Sequence, residues 1–296
     1  MSKFSRAISI ILIPVIILFM IYLPQYAEKE LGRNLFYEWQ APKREPYTGK
    51  IKVWHIVAFR PYVGSLGSFL KEAAKAVNKK YFGVIIEIEA ITGEEAAERL
   101  ECGEKPDAFS FPAGFFETDA LRPLSEELRE TASERVDTDL GLNGNVLYAV
   151  PYCASCNFIL YYPDLIDAEG ALKTENSDEE AFKKKKVSAL AADAGITGRL
   201  CRSVLSGKTE HFEVLAFDKG TNLSQFFGIA AGCDEIKVRY LEEFFKACIA
   251  EKRQIKLCEL GLLPLNTSVE KRFENIFLDE AYGLILENKH GVAPAF

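Results

Sequence analysis

The sequence lacks the motifs of the common catalytic classes. Its three histidines, at positions 55, 211 and 290, stand far apart, and none lies in a known catalytic pattern. It contains no Gly-x-Ser-x-Gly nucleophile elbow and no complete Gly-x-x-x-x-Gly-Lys-Ser/Thr phosphate loop. Neither a His-x-x-x-His pair nor a second Cys-x-x-Cys is present to complete a zinc site. We therefore expect no catalytic residues, no metal and no cofactor, although residues distant in sequence can still converge in a fold.

An excess of basic residues is also missing. The chain of 296 residues has 36 Lys and Arg against 43 Asp and Glu, which gives a formal net charge of −7. Because binding to nucleic acid requires a basic patch that neutralises phosphates, we expect no nucleic-acid partner. Internal repeats and extended low-complexity stretches are absent as well. The length suffices for two modest domains or one large one.

Cysteine is present, but its number and arrangement do not predict disulfides. The seven cysteines are an odd number scattered through apolar segments, where they are expected to be buried free thiols. The segment Cys153-Ala154-Ser155-Cys156 is a Cys-x-x-Cys motif, which in thiol oxidoreductases lies at a helix N-terminus. Here it follows Val-Pro-Tyr and precedes an apolar strand. A thiol-dependent enzyme is therefore the least favoured alternative.

The N-terminus carries a long uncharged run, Ala7–Leu23, which follows Lys3 and Arg6. As a helix the run would span roughly 25 Å, slightly less than a hydrocarbon core of about 30 Å. The alternative is a buried core helix. Basic residues before the run and none shortly after it predict that the body lies outside the cell membrane. No small-x-small cleavage site follows closely, and no nearby cysteine could carry a lipid. We expect an uncleaved signal-anchor over residues 1–27 and a tether over 28–49, which hold the protein on the extracytoplasmic face.

Beyond the tether, strand patterns alternate with helix patterns. The first strands are expected at Ile51–Val57, Ile86–Ala90 and Asp107–Phe111. Ser68 is expected to cap a helix with an apolar stripe, and Thr92 with Glu95 forms a capping box for a second helix. This alternation predicts a parallel α/β sheet, in which the ligand crevice lies beyond the carboxyl ends of the strands. The loops 58–67 and 111–116 are thereby placed on the candidate binding face.

The second half of the chain continues with short strand patterns. They are expected at 146–152, 158–163, 187–192 and 212–217. The lysine run Lys183–Lys186 favours a solvated helix or loop over a binding patch. Gly195 and Gly198 predict a turn, so Asp193–Arg202 is expected to be a loop. The clearest helix is expected around Glu235–Lys252, which has one apolar face.

The order of these landmarks resembles the extracytoplasmic solute-binding proteins of ABC importers, of the maltose-binding type. The matching pieces are Lys52-Val53-Trp54, Pro106-Asp107-Ala108-Phe109, Tyr148–Tyr152 leading into Ile159–Tyr162, Lys237–Ala250 followed by Gln254, and Gly261-Leu262-Leu263-Pro264. Together they extend from Lys50 to Phe273. The resemblance implies an α/β, two-lobed periplasmic-binding-protein-like (type II) fold with hinge strands, preceded here by the N-terminal membrane helix.

The resemblance also implies domain boundaries. Lobe I would comprise residues 50–151 and 221–270, and lobe II residues 152–220 and 271–296. Only residues 163–186 fill the space where the family usually has a long helical region, and the family's Thr-Trp-Asp/Glu signature does not occur. We therefore expect lobe II to be reduced.

The function that the resemblance implies is capture of a small, sugar-like solute and its delivery to the membrane subunits of an ABC permease. Such a protein performs no covalent chemistry, so we do not expect an enzyme. Its function is a difference in affinity between open and closed states. The alternatives on the same scaffold are a surface sensor and a degenerate binding module.

Eight residues are expected to contact the solute from positions that line the family's cleft. They are Arg60, Tyr62, Phe111, Tyr152, Ser155, Asp193, Arg199 and Arg202. The alternative for Arg60 and Tyr62 is simple exposure in a loop, and the alternative for Tyr152 is packing in the hinge. Trp54 is expected in the core, so a sugar would have to stack on Tyr or Phe. The three arginines favour an anionic or heavily hydroxylated solute.

Overall fold

The computed structural model describes residues 47–166, 178–216, 221, 223–270, 273, 276–287 and 292–296. Its strands are β1 (Gly49–Ile56), β2 (Val84–Ile91), β3 (Ala108–Pro112), β4 (Leu142–Asn143), β5 (Val146–Leu147), β6 (Val150–Ala154), β7 (Asn157–Tyr161), β8 (Ala189–Asp193), β9 (Glu213–Ala216), β10 (Ser224–Ile229) and β11 (Leu263–Pro264). Its α-helices are α1 (Leu66–Lys80), α2 (Gly93–Glu101), α3 (Glu126–Ser133), α4 (Glu179–Lys183), α5 (Ala194–Leu205), α6 (Glu235–Ile249), α7 (Glu251–Glu259) and α8 (Ile276–Glu287). Short 3-10 helices occur at Thr118–Ala120, Thr138–Gly141 and Pro163–Leu165.

The predicted signal-anchor over residues 1–27 and nearly all of the tether lie outside the described residues. Within the described ranges, no helix combines the length and the apolar character needed to cross a membrane.

The first sheet has six strands in the order β11-β6-β10-β3-β1-β2. Strand β1 pairs in parallel with both β2 and β3, which confirms the predicted α/β arrangement of the first three strands. Strand β10 runs antiparallel to β3 and to β6. Strand β10 comes after the three strands of the second sheet in the chain, and it runs through the first sheet in the direction opposite to β3. The sheet is therefore mixed, whereas the sequence predicted parallel strands.

Helix α1 covers one face of this sheet with the predicted apolar stripe. Phe69, Leu70, Ala73, Ala74 and Val77 are all buried. The predicted cap was wrong, because the Ser65 hydroxyl accepts the hydrogen bond from the Ser68 backbone N–H at 3.1 Å. Ser65 has the extended backbone of an N-cap (φ −150°, ψ 146°), whereas Ser68 already belongs to the first turn. The neighbouring prediction holds, since Thr92 caps α2 by accepting from Glu95 N–H at 3.1 Å.

The opposite face of the first sheet is an aromatic layer. Trp54 is fully buried there, as predicted, and meets Phe109 edge to face at a centroid distance of 6.2 Å. Phe111 and Phe116 belong to the same cluster. Burying four aromatic side chains on one face removes a large apolar area from water, which stabilises the sheet at this point.

The second sheet is smaller and has the antiparallel order β8-β7-β9. Its apolar cluster includes Phe158, Tyr162, Phe182 and Phe212, and Tyr282 from α8 packs into it. Tyr162 stacks on Phe182 at a centroid distance of 4.5 Å. Both sheets belong to one compact unit, Tyr47–Phe296.

Helix α5 occupies the segment that the sequence predicted as a loop. Asp193 caps it, with its side-chain oxygen accepting from Ile196 N–H at 2.7 Å. Two glycines in the first two turns, Gly195 and Gly198, led to the wrong prediction of a turn. Both are buried against the first sheet's loop, so their role is close packing and not a change of chain direction.

Candidate functional site

A cavity of about 410 Å³ lies where the carboxyl end of β1 meets helix α5. Its wall on the side of the first sheet comprises His55, Val57, Ala90 and the segment from Phe59 to Gly67, which we call the β1 loop. Its opposite wall comprises Gly195, Arg199 and Arg202 of α5. Ligand crevices of open α/β sheets lie beyond the carboxyl ends of strands, which is where the sequence placed this loop. The first sheet with its β1 loop and helix α5, which follows β8 of the second sheet, therefore share one space.

The β1 loop touches α5 with no room for a side chain between them. A Cβ atom at Gly198 would lie 2.3 Å from Tyr62 Cδ2, and one at Gly195 would lie 2.8 Å from Arg60 Cβ. A Cβ atom at Gly261 would lie 2.4 Å from Tyr62 Cβ. Carbon atoms attract one another best at about 3.5–4.0 Å, so each of these substitutions would force the loop away. The glycines allow Tyr62 to reach the second sheet's helix.

Arg202 stabilises the contact between the β1 loop and α5 by two interactions with Tyr62. Its Nη1 donates a hydrogen bond to the Tyr62 carbonyl oxygen at 3.2 Å. Its guanidinium carbon lies 5.1 Å from the centroid of the Tyr62 ring, within the range of a cation–π interaction. Arg202 itself is exposed at the cavity wall, so part of its guanidinium remains open to the cavity.

Arg199 forms an ion pair with Glu179, the first residue of α4. Its Nη2 donates to Glu179 Oε2 at 2.8 Å. This hydrogen bond lowers the pKa of the Glu179 carboxyl and raises that of the Arg199 guanidinium, so both groups are charged. Arg199 and Arg202 also line a second, adjacent space of about 280 Å³, together with Lys183, Ser203, Ser206 and Lys208.

His55 contributes a neutral imidazole to the cavity wall, and no sequence pattern around it predicted this position. It is 2 % exposed, and its Nδ1 lies 3.0 Å from Ser110 Oγ, which in turn lies 2.9 Å from the Tyr152 hydroxyl. Burial lowers the pKa of His55 to about 4, so the ring is uncharged near neutral pH. The signal that could have found it is its position near the carboxyl end of the first strand.

The structure places Phe111 and Tyr152 away from the cavity wall. Both side chains are fully buried. Phe111 meets Phe116 edge to face at 5.1 Å, and Tyr152 stacks on Phe227 at a centroid distance of 4.0 Å. For Tyr152 this is packing in the core of the first sheet, in line with the packing alternative that the sequence left open. The loop after Phe111 is covered by the C-terminal segment, since Gly114 N–H donates to the Ala295 carbonyl at 2.9 Å.

Ser155 and Asp193 have structural surroundings as well. Ser155 is fully buried between β6 and β7, and its hydroxyl has no hydrogen-bond partner among the described residues. Asp193 caps α5 and is not part of the described cavity lining. Of the eight predicted contact residues, the cavity therefore brings together Arg60, Tyr62, Arg199 and Arg202.

The cysteines of the Cys-x-x-Cys motif are both buried in apolar surroundings. Burial raises the pKa of Cys156 to about 12 and that of Cys153 well above its usual value. Both thiols stay protonated near neutral pH, and a protonated thiol is a poor nucleophile. This argues against the thiol-dependent enzyme. In the part of the chain that the structure describes, no group of three or more His, Cys, Asp or Glu could hold a metal ion.

No protein-family model matches the chain, and no curated protein sequence is similar to it. Several solved structures share its fold. A chitin oligosaccharide binding protein has a TM-score of 0.63 at 12% identity, over 84% of this chain and 89% of that one. The maltodextrin binding protein MalE1 from L. casei BL23 has a TM-score of 0.56 at 10% identity, over 84% of this chain and 89% of that one.

A third solved structure, iron-bound HitA from Pseudomonas aeruginosa, has a TM-score of 0.51 at 12% identity, over 80% of this chain and 98% of that one. At these identities the likeness concerns the fold. It confirms the predicted α/β fold of the two-lobed solute-binding proteins.

Proposed function

We propose that the protein captures a small, sugar-like solute between two lobes and delivers it to an ABC permease. The observation that carries this proposal is the cavity of about 410 Å³ to which both sheets contribute. Small-molecule sites have volumes of about 300–1,000 Å³, so the space suits a solute of the size of one or two sugar rings. Chitin-oligosaccharide and maltodextrin binding proteins with this fold favour a carbohydrate-like solute.

The proposed mechanism is ligand-dependent closure. A solute that touches both the β1 loop and helix α5 gains all its contacts only when the two walls are together. Such a solute stabilises the closed arrangement over the open one by the free energy of those additional contacts. The permease would recognise the surface that closure creates. No covalent step is involved, so the proposed protein is not an enzyme.

We assign residues 50–151 and 221–270 to lobe I and residues 152–220 and 271–296 to lobe II. In support, the first sheet's main core contains side chains from both segments of lobe I, and Tyr282 packs with the second sheet. The hinge would be the passage from β6 to β7 and the return into β10. Two places depart from this division. Residues Tyr152–Ala154 belong to β6 of the first sheet, and Ala295 packs in the aromatic layer of the first sheet.

The N-terminal segment gives the proposed protein its place in the cell. The uncharged run Ala7–Leu23 after two basic residues favours a membrane anchor over residues 1–27 that leaves the body on the extracytoplasmic face. Residues 28–49 would act as the tether between the anchor and lobe I. Such an anchor would keep the protein near its permease.

The proposal is tested by thermal unfolding of the full chain in detergent micelles with a panel of neutral sugars, acidic sugars, polyamines and inorganic anions. A ligand at a hundredfold excess over its Kd stabilises the native state by about 2.7 kcal/mol, which raises Tm by roughly 5–10 °C. We expect such a rise with at least one sugar-like solute. Unchanged Tm across the whole panel would contradict solute binding and favour the degenerate binding module.

A further inference from the structure

The cavity is lined by positive charge in a chain that is acidic overall. Arg60, Arg199 and Arg202 lie on its walls, and no Asp or Glu does among the described residues that line it. The whole chain has a net charge of −7, so the three guanidinium groups do not follow from composition.

Two of the three arginines lack a compensating acid. Arg199 forms an ion pair with Glu179, whereas Arg202 donates to the Tyr62 carbonyl, which is a neutral acceptor. In the described part of the chain, neither Arg60 nor Arg202 pairs with a carboxylate. A guanidinium group binds an oxyanion through two parallel N–H···O bonds, so two uncompensated ones beside one space favour a negatively charged ligand.

The cavity is also poor in the aromatic surface that a neutral sugar would need. The Tyr62 ring packs against α5 at Gly198 and lies under the Arg202 guanidinium. Phe59 is 5 % exposed. Apart from His55, these two are the aromatic side chains among the described lining residues. Stacking on a ring face therefore contributes little here, and polar contacts must supply most of the affinity.

The start of helix α1 adds to the positive potential. Leu66 and Gly67 of its first turn line the cavity, its cap Ser65 is neutral, and its first turn contains no acidic residue. The N-terminus of a helix carries a partial positive charge that favours anions. Helix α5 also begins near the cavity, but the carboxylate of its cap Asp193 offsets that end.

The cationic surface continues into the adjacent space of about 280 Å³. That space shares Arg199 and Arg202 with the cavity and adds Lys183 and Lys208. Glu179 is the one carboxylate among its described lining residues, and it is already paired with Arg199 and Lys183. Four cationic side chains thus face one paired acid on this side of α5.

We propose that the solute carries an oxyanion group, such as a carboxylate, sulfate or phosphate, that is bound by Arg60 and Arg202. This inference rests on the proposed function and narrows its substrate class from neutral sugars to acidic ones. The neutral His55 completes the wall as a hydrogen-bonding group that adds no charge near neutral pH.

The test is isothermal titration calorimetry on the full chain in detergent micelles, in a buffer free of phosphate and sulfate. The probes are matched pairs: galacturonate with galactose, and glucose 6-phosphate and glucose 6-sulfate each with glucose. Inorganic phosphate and sulfate are separate arms. We expect at least one acidic member to bind at least tenfold more tightly than its neutral partner, with a difference that shrinks as salt is added.

Arg60→Gln and Arg202→Gln should each weaken the acidic member at least tenfold. Arg129→Gln is the matched control, because Arg129 lies on α3, contacts Glu126 and the Asn145 carbonyl, and does not line either space. If a free inorganic anion binds as tightly as the sugar ester, the oxyanion is itself the recognised group, which supports the inference and identifies a free anion as the source.

Two other outcomes separate the inference from the proposed function. Equal affinities within every pair, unchanged by Arg60→Gln and Arg202→Gln, would overturn the anionic solute while leaving solute binding intact. No heat and no shift of Tm with any probe or any member of the wider panel would overturn the proposed function itself.

Discussion

The β1 loop and the segment where the chain crosses between the sheets differ in what surrounds them, although both were expected to contact a solute. The β1 loop leaves the first sheet beyond the carboxyl end of β1, and its Arg60 and Tyr62 line a cavity. The crossing segment, Tyr152–Cys156, begins in β6, which is hydrogen-bonded on both edges by β10 and β11. All five residues of β6 are buried, whereas the β1 loop past the end of β1 keeps polar groups open to the cavity.

The two regions are nevertheless connected by hydrogen bonds. His55 on the cavity wall contacts Ser110, and Ser110 contacts the Tyr152 hydroxyl. Tyr152 is therefore linked to the cavity wall through Ser110 and His55, and the crossing segment is not among the described residues that line the cavity. Four substitutions test this division between a wall that binds and a core that supports it.

The largest effect is expected for Tyr152→Ala. The side chain is fully buried and stacks on Phe227 at 4.0 Å, so its removal leaves a cavity in the first sheet's core. Truncating a buried aromatic residue lowers the free energy of unfolding by about 3–5 kcal/mol, which urea denaturation measures. Tyr62→Ala, on the half-buried β1 loop, is the control and should cost clearly less. A Tyr152→Ala variant that keeps its stability but loses ligand binding would show that the crossing segment binds the ligand and does not only support the core.

A smaller effect is expected from the titration of His55. The unfolded chain takes up a proton as pH falls below the ordinary imidazole pKa of about 6.5, whereas His55 in the fold remains neutral down to about 4. Stability that is fully present above pH 6.5 is therefore lost as pH falls toward 4, by about 3 kcal/mol at most. His55→Gln should remove this part of the pH dependence, as measured by urea denaturation between pH 4 and 7.5.

The carboxylates of the protein also titrate in this range, so the informative quantity is the difference between variant and wild type. His211→Gln is the control, because His211 is exposed and does not line the cavity. Identical slopes for the wild type and the His55→Gln variant would show that His55 has the same pKa in the folded and the unfolded chain, which would contradict its desolvation in the cavity wall.

Closure of the two walls should depend on Gly198. In Gly198→Ala the new Cβ would meet the Tyr62 ring at 2.3 Å, and overpacking of this kind costs about 1–3 kcal/mol. Because the strain arises only when the walls meet, we expect it as weaker ligand binding, by roughly 5- to 150-fold in calorimetry. Gly232→Ala is the matched control, since no atom lies within 4 Å of its Cβ position.

Replacement of Tyr62 provides a rescue of that variant. In the Gly198→Ala background, Tyr62→Ser removes the ring that the new methyl group would strike. If the steric argument holds, the double variant binds more tightly than Gly198→Ala alone. If the losses of binding free energy of the two single variants simply add in the double variant, the clash does not limit closure.

The sequence predicted several parts of the fold that depend on local patterns, although it placed the cap of α1 at Ser68 and not at Ser65. The apolar stripe of α1 and the cap of α2 by Thr92 follow from neighbours within four residues, and both are present. The wrong prediction of a loop where α5 lies has a different origin. The backbone freedom of Gly195 and Gly198 suggested a turn. Their actual role is to leave space for the β1 loop, which lies more than 130 residues earlier in the chain.

The candidate site shows the same limit. The sequence named Arg60 and Arg202 by their charge, and both line the cavity, although Arg202 lies in helix α5 and not in the expected loop. Tyr152 and Phe111 have the right chemistry for sugar contacts, yet the rings that cover them, Phe227 and Phe116, come from other elements. The place of His55 in the cavity wall was not predicted, because Ser110 and Tyr152, to which it is linked by hydrogen bonds, are distant in sequence.

Ser155 gives the smallest expected effect and the sharpest separation between the two regions. Its hydroxyl is buried near the Tyr282 hydroxyl but forms no hydrogen bond of normal geometry among the described residues, so Ser155→Ala removes a poorly paired polar group. Such a change alters the free energy of unfolding by less than about 1 kcal/mol, and in the stabilising direction, because no desolvation penalty remains. Ser110→Ala is the contrast: it leaves His55 and Tyr152 unpaired and should cost about 1–3 kcal/mol.

Ligand affinity then decides the role of Ser155. If the crossing segment only supports the fold, calorimetry on the Ser155→Ala variant gives the wild-type Kd. A tenfold loss of affinity at unchanged stability would instead place the hydroxyl in contact with the solute, and the cavity would have to extend from the β1 loop to the crossing segment when the ligand is bound.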